Sequence, residues 1–341
     1  MAVPAAMAYG ADQSGLVYGY VFSAAGAGRA VDTAGAVAWL GEGGKPEREF
    51  IWLHFNSAHA ATEHWLRRHL DLPEEFTDVL KEGSRSTRIE QVHRSLIAVV
   101  NDVVYDLMRQ SSLQVATLWL SVEPRCLLSV RSQPLQSVDR LRAAVKAGEA
   151  FPSPLALVVH LLRDQADVLV HIMRGTAEKV DRIEDGFLAD RLPERANLGG
   201  IRRDLVRLQR LLAPEPAALF RLVSRPPDWV TLEDAQDLQQ STEEFAVVLR
   251  DMAGLQERIK LLQEEIVARI GERTNRSVFL LTAVTVIALP INLTAGLFGM
   301  NVGGVPFNQD EAGFWIVLAL VAFLTAIAAW LTFRSRDDGA G

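Results

Sequence analysis

Residues 277–300 read SVFLLTAVTVIALPINLTAGLFGM, twenty-four positions without a charge. As a helix rising about 1.5 Å per residue, this run covers roughly 36 Å, enough to cross a bilayer with some tilt. A second uncharged run, FWIVLALVAFLTAIAAWLTF at 314–333, has about the same reach. A soluble core helix of this length rarely lacks charge on every face, so both runs predict membrane spans in a lipid bilayer. The loop between them, residues 301–313, is too short for the pore helix and carbonyl filter of a potassium-type channel, which excludes that two-helix architecture.

The flanking charges orient the spans. Arg273 and Arg276 precede the first, Arg334 and Arg336 follow the second, and the loop carries only Asp310 and Glu311. The positive-inside rule then places both termini, including the tail 334–341, in the cytoplasm and the loop outside. Trp315 and Trp330 stand near opposite ends of the second span, where interfacial aromatics are expected.

Upstream of Arg276 the composition is that of a globular protein. The formal net charge of −7 argues against a nucleic-acid partner, which needs basic patches to displace counterions. A single cysteine, Cys126, excludes an intrachain disulfide framework and any multi-cysteine zinc site, and its apolar run reads as a strand with a buried thiol. Residues 1–15 show neither a basic start nor an apolar core, so no signal peptide is expected there. Strand-like runs at 16–22, 50–55, 94–105 and 115–130, with a helical stretch around 60–81, predict an α/β domain over 1–150. Helical periodicity from Pro134 to Lys146, from Pro154 to about Leu188 and from about Asn197 to Leu212 predicts long antiparallel helices over 151–230. Gly-Glu-Gly-Gly-Lys-Pro at 41–46 lacks the spacing of a phosphate loop and reads as a surface turn. With no dinucleotide fingerprint, nucleophile elbow or catalytic constellation, an enzyme is the least favoured class, and no cofactor is implied.

From Leu232 no proline intervenes until Pro290, and apolar residues recur at Phe245, Met252, Ile259 and Ile266, and at Val248, Leu255 and Leu262. This heptad-like stripe predicts a stalk helix over 231–276 that runs on into the span at 277–300, with a hinge at Gly271 as the alternative. Along the span Asn275, Val278, Thr282, Thr285, Leu289, Asn292 and Gly296 follow one line with alternating three- and four-residue steps. Polar groups in hydrocarbon must face protein or water, so this line either lines a pore or glues helices together, with Ala295 and Gly299 as a small-residue contact. Continued backward by heptads, the line meets Glu264 and Glu257, candidates for a cation-attracting vestibule or for solvated surface carboxylates.

The span closes on Gly299-Met300-Asn301. At this position, after a proline-free stalk and before a short loop, the motif resembles that of the CorA-type two-span divalent-cation transporters. The run Gly296 to Pro306, with Val302-Gly303-Gly304 after the asparagine, is similar to the zinc-transporting, ZntB-type branch, as are Trp52-Leu-His-Phe-Asn56 and the stretch 203–214. The resemblance implies a homopentamer in the bacterial cytoplasmic (inner) membrane with a funnel-shaped α/β/α domain and the first span around the pore. Gly299, Met300 and Asn301 become the selectivity motif, with five Asn301 amides holding a hydrated metal ion and Asp310 and Glu311 concentrating cations nearby. Zinc uptake, and protons as a coupling ion, also come from the resemblance. A magnesium or cobalt channel of the same family and, in a different class, a membrane-anchored oligomeric scaffold are the alternatives. Zinc held tightly wants His, Cys or carboxylate ligands, and the stripe offers none. His160 and His171 lie too far apart to share a metal, and His54, His59, His64 and His69 turn away from one another at five-residue steps, so ordinary structural roles are expected of them.

Overall fold

The computed structural model describes residues 10–23, 25–41, 49–104, 114–189, 197–300 and 312–337. The chain divides into two compact units, 1–261 and 262–341.

The first unit is built on β1 (Leu16–Phe22), β2 (Gly28–Val31), β3 (Phe50–Asn56), β4 (Arg88–Val92), β5 (Ser95–Val103), β6 (Val115–Glu123) and β7 (Cys126–Arg131). They form one sheet in the order β2-β1-β3-β7-β6-β5-β4. Only β3 and β7 run parallel. Every residue of β3 is buried, because helices cover both faces of the sheet. On one face Trp52 and Phe50 join a core with α4 (Gln136–Lys146), α5 (Pro154–Leu188) and α7 (Pro214–Ser224). On the other Ile51, Leu53 and Phe55 pack with α1 (Thr33–Gly41), α2 (Thr62–His69) and α3 (Glu74–Glu82). The helix α6 (Leu198–Leu212) precedes α7. The result is the three-layer α/β/α domain expected.

Several expectations are refined. The helical stretch around 60–81 is two helices, because Pro73 holds an extended backbone between them, at φ −55° and ψ 143°. The strand run at 115–130 is the hairpin β6–β7, turned at Pro124-Arg125. Cys126 opens β7 half-buried rather than buried. It packs at the edge of the second core. The helix start after Ser153 follows from its chemistry. The Ser153 hydroxyl accepts from the Ala156 amide at 2.9 Å, and Pro154 occupies the first turn, where its missing N–H costs nothing. The turn expected at 41–46 falls mostly outside the described residues.

Helix α8 (Leu232–Phe298) is one element of 67 residues that passes Gly271 and Pro290 without interruption. Within the first unit its heptad positions Phe245, Met252 and Ile259 are fully buried, and Val248 is 8% exposed. The second unit holds the rest of α8 and α9 (Gly313–Asp337). Both pass the length and apolarity required of a span, and only 11% and 0% of their apolar windows are buried. A core helix of a soluble protein would be mostly covered; these helices leave Leu280, Leu281, Leu293, Phe314, Phe323 and Trp330 open, which lipid would cover.

Candidate functional site: one face of the first span

Along α8 from Phe279 to Phe298, the covered positions, Val286 and Ile287 among them, follow one line, apart from half-buried Ala288. Ala283 is 5% exposed and Thr294 8%, and Phe279, Pro290 and Phe298 are half-buried. On α9 the covered line is Gly313, Val317, Val321, Thr325, Ala328 and Thr332. At about 100° per residue the stripe Asn275, Val278, Thr282, Thr285, Leu289, Asn292 and Gly296 lies roughly 130° round α8 from its covered line. All seven stripe residues are exposed in the single chain, Val278 to 55% and Leu289 to 63%. The amides and hydroxyls thus stand on a side of the span that its own chain does not cover.

The local hydrogen bonding fits a helix that must satisfy its polar groups in hydrocarbon. The Thr282 hydroxyl donates to the Val278 carbonyl at 2.9 Å and that of Thr285 to Leu281 at 2.9 Å. These back-bonds meet the hydroxyl hydrogens inside the helix and leave oxygen lone pairs on the open face. The Asn275 and Asn292 amides are exposed on the same side. Thr294, off the stripe, is the polar residue on the covered side; its hydroxyl donates to the Pro290 carbonyl at 2.7 Å.

At the end of the span the Gly299 amide donates to the Ala295 carbonyl at 2.9 Å. A Cβ at Gly299 would come within 2.8 Å of that carbonyl, whereas one at Gly296 would meet nothing. Met300 is exposed. Asn301, Asp310 and Glu311 lie outside the described residues. Upstream, Glu264 is exposed, and Glu257 is exposed with its carboxylate 3.0 Å from the Lys260 ammonium. That pair offsets much of the field expected of Glu257 alone.

The histidines are held by the α/β domain. His54 is fully buried; the Arg131 Nε–H donates to its Nε2 at 2.7 Å, which fixes the proton on Nδ1, 2.7 Å from the Ser129 hydroxyl. Burial, with Arg131 and Arg142 adding to it, pushes His54 well below its ordinary value and keeps it neutral. His160 meets Asp164 through Nδ1 at 3.0 Å and Glu149 through Nε2 at 3.3 Å. With carboxylates on opposite ring nitrogens it is set up as an imidazolium and not as a shared metal ligand. Among the described residues no group of three or more His, Cys, Asp or Glu side chains is placed to hold a metal ion.

Sequence reading missed a buried polar node. The Glu215 carboxylate accepts from the Asn101 amide at 2.7 Å, and the Gln165 Nε2 donates to Glu215 at 3.0 Å and to the Asn101 carbonyl at 2.6 Å. The neighbouring Asp102 accepts from the Ser137 hydroxyl at 2.8 Å and the Ser137 amide at 3.1 Å. Glu215 sits between Pro214 and Pro216 in a helix's first turn, where the sequence gives no sign of burial.

A long helix leading from a three-layer α/β domain into the first of two apolar helices, with a polar face left open on that first span, defines a two-span membrane protein with a large α/β domain. The chain belongs to the family of CorA-like Mg2+ transporter proteins, whose model matches residues 47–334. It is 30% identical over 332 residues to the divalent cation transporter CmaX of Pseudomonas aeruginosa, covering 95% of this chain and 97% of that one. It is 24% identical over 285 residues to the zinc transport protein ZntB of Yersinia pseudotuberculosis, covering 84% of this chain and 87% of that one. The solved structure of full-length CmaX superposes with a TM-score of 0.82 at 28% identity, covering 95% of this chain and 99% of that one. Transmembrane transport of divalent cations is therefore the activity of this fold, and the protein is not an enzyme.

Proposed function

We propose that this protein takes zinc into a bacterial cell across the cytoplasmic membrane, through a central pore built from five copies of the first span. The observation that carries the pore is the stripe from Asn275 to Gly296, exposed along a side of α8 that the chain itself does not cover. Copies arranged about an axis would turn that side inward, where its amides and hydroxyls meet water and a hydrated cation. In this assembly the α/β domains form a funnel inside the cell and both termini are cytoplasmic, in keeping with the arginines that flank the spans. Asn301 rings the outer mouth within the motif Gly299-Met300-Asn301 and holds the hydrated ion by carboxamide oxygens; Asp310 and Glu311 raise the cation concentration beside it, as Glu264 does inside, with Glu257 adding what its Lys260 partner leaves. The stripe offers oxygen donors and no histidine or cysteine, so the ion travels with water in its shell.

Zinc as cargo is supported by the run Val302-Gly303-Gly304-Val305-Pro306 after the asparagine and by the likeness to ZntB. Protons moving inward are the coupling ion in this reading. Magnesium is the second reading, favoured by the description of the family as Mg2+ transporters. Uptake into proteoliposomes, zinc against magnesium, with and without an inward proton gradient, separates them. The account expects zinc entry stimulated by the gradient and cut at least tenfold by Asn301→Ala. Magnesium entry driven by membrane potential alone replaces zinc with magnesium. Entry of neither ion through folded, oligomeric protein would refute transport and leave a membrane-anchored scaffold.

A further inference from the structure

Four elements of the first unit meet at adjacent pairs of polar residues in an otherwise apolar core. β5 contributes Asn101 and Asp102, α5 contributes Asp164 and Gln165, α4 contributes Ser137 and α7 contributes Glu215. Strand β4 pairs with β5 only as far as Val99, so Asn101 presents its amide and carbonyl away from β6. Glu215 accepts from that amide and Gln165 donates to that carbonyl, together replacing the missing strand. Asp102 holds the first turn of α4 through Ser137. A third bond to Asp102 comes from the Val103 amide at 2.7 Å.

Apart from His160, the charged groups named around this joint are all acidic. Glu215 is faced by Asp102; Asp102 by Asp164 and Glu215; Asp164 by His160, and His160 in turn by Glu149 from the segment before α5. The charge that bears most on each buried acid is another carboxylate, Asp164 on Asp102 and Asp102 on Glu215. The groups run from half-exposed His160 inward to Asp102, 3% exposed, and Glu215, fully buried. Burial beside other carboxylates favours the protonated form of each acid, and the hydrogen bonds that Asp102 and Glu215 accept oppose it in part. The half-exposed His160 supplies the positive charge at the outer end only while both of its nitrogens carry protons.

We propose that this joint is a pH sensor of the α/β domain: proton loss from His160, Asp102 and Glu215 over the neutral range loosens the seam where α4, α5 and α7 meet β5. All three losses add negative charge to one cluster, so they act in the same direction. Burial places Glu215 at about 8 and Asp102 at about 6, and the two carboxylates hold His160 above its ordinary value, which sets the response across neutrality. The output has a path within the same unit. Helix α5 carries Asp181 and Glu184, which both hold Arg258 of α8.

Hydrogen exchange of the full-length protein in detergent, read by mass spectrometry at pH 5 and pH 8.5 and corrected for intrinsic rates, tests the sensor. Peptides from α7 and the first half of α5 are expected to lose at least ~10-fold in protection at pH 8.5. Glu215→Gln keeps the acceptor for the Asn101 amide and cannot ionise, so its protection should change less than ~3-fold between the two pH values. If Glu215→Gln fails to fold, Asp102→Asn takes its place and must narrow the wild-type ratio at least ~3-fold. Wild-type protection unchanged between the two pH values, or a folded variant with the full wild-type response, overturns the proposal. Flux is not the readout, so this result stands apart from the transport reading.

Discussion

Acidification should weaken the α/β domain through His54, in a direction that the geometry fixes. The ring is fully buried, stacked on Tyr18 at 4.7 Å between centroids, and its Nε2 faces the Arg131 guanidinium. Its folded value lies well below the ordinary 6.5, so the native protein stays unprotonated while the unfolded chain binds a proton. A group with a lowered native value stabilises above its unfolded value and loses that contribution as pH falls. At about 1.4 kcal/mol per pH unit, moving from pH 7 to pH 5 costs about 2 kcal/mol. Asp102 and Glu215 act in the opposite sense, because their raised values make the native state bind more protons, and that stability is lost as pH rises through about 6 and about 8. The whole-protein curve therefore does not report His54; a difference curve does. In His54→Gln the amide replaces the acceptor for Arg131 and the donor for Ser129 without titrating, at a cost that does not vary with pH. Urea unfolding of the full-length protein in detergent, followed through the α/β domain's transition, should give a wild-type minus variant difference that shifts by about 2 kcal/mol between pH 7 and pH 5. A difference that is flat over this range would refute the neutral, locked ring.

Phe245, fully buried on the heptad line of α8, should cost about 3–5 kcal/mol on replacement by alanine in the same unfolding assay, far more than any change on the open side of that helix. Arg258→Ala, by contrast, removes a guanidinium that is 46% exposed from Asp181 and Glu184, and should cost less than about 1 kcal/mol, an effect that shrinks further in high salt.

The membrane segments were legible because hydrocarbon tolerates no charge and so edits composition over twenty residues at a time. The long helix was legible because the heptad spacing from Phe245 to Ile259 and the absence of proline act over many turns. Short and edge elements were not. β4 is an edge strand with exposed Arg88 and half-buried Glu90, so its alternation carries little signal, and α1 and β2 are too short to show a period. Helix α7 begins Pro-Glu-Pro, which reads as a breaker although Pro at the first turn is compatible with a helix. The polar stripe could be read in the first span from spacing alone, yet that spacing fitted a pore lining and a helix contact equally. In the fold the stripe lies away from the covered line of α8, so what it meets, water or another copy's helix, comes from outside the single chain. The buried acids were illegible because a lone Asp or Glu in sequence carries no mark of burial, which is decided by four elements meeting at Asn101.

The most direct test of the conducting face is thiol block of cation uptake, in a Cys126→Ser background so that the introduced cysteine is the one that reacts. Thr285→Cys on the stripe is compared with Phe323→Cys, which is 63% exposed on α9. After a charged, water-soluble thiol reagent, the account predicts that divalent-cation uptake into proteoliposomes falls at least ~10-fold for Thr285→Cys and stays within ~2-fold for Phe323→Cys, since only a water-filled, ion-carrying face is both reached and obstructed. Labelling of Thr285→Cys that leaves uptake unchanged would contradict the placement of the pore on this face.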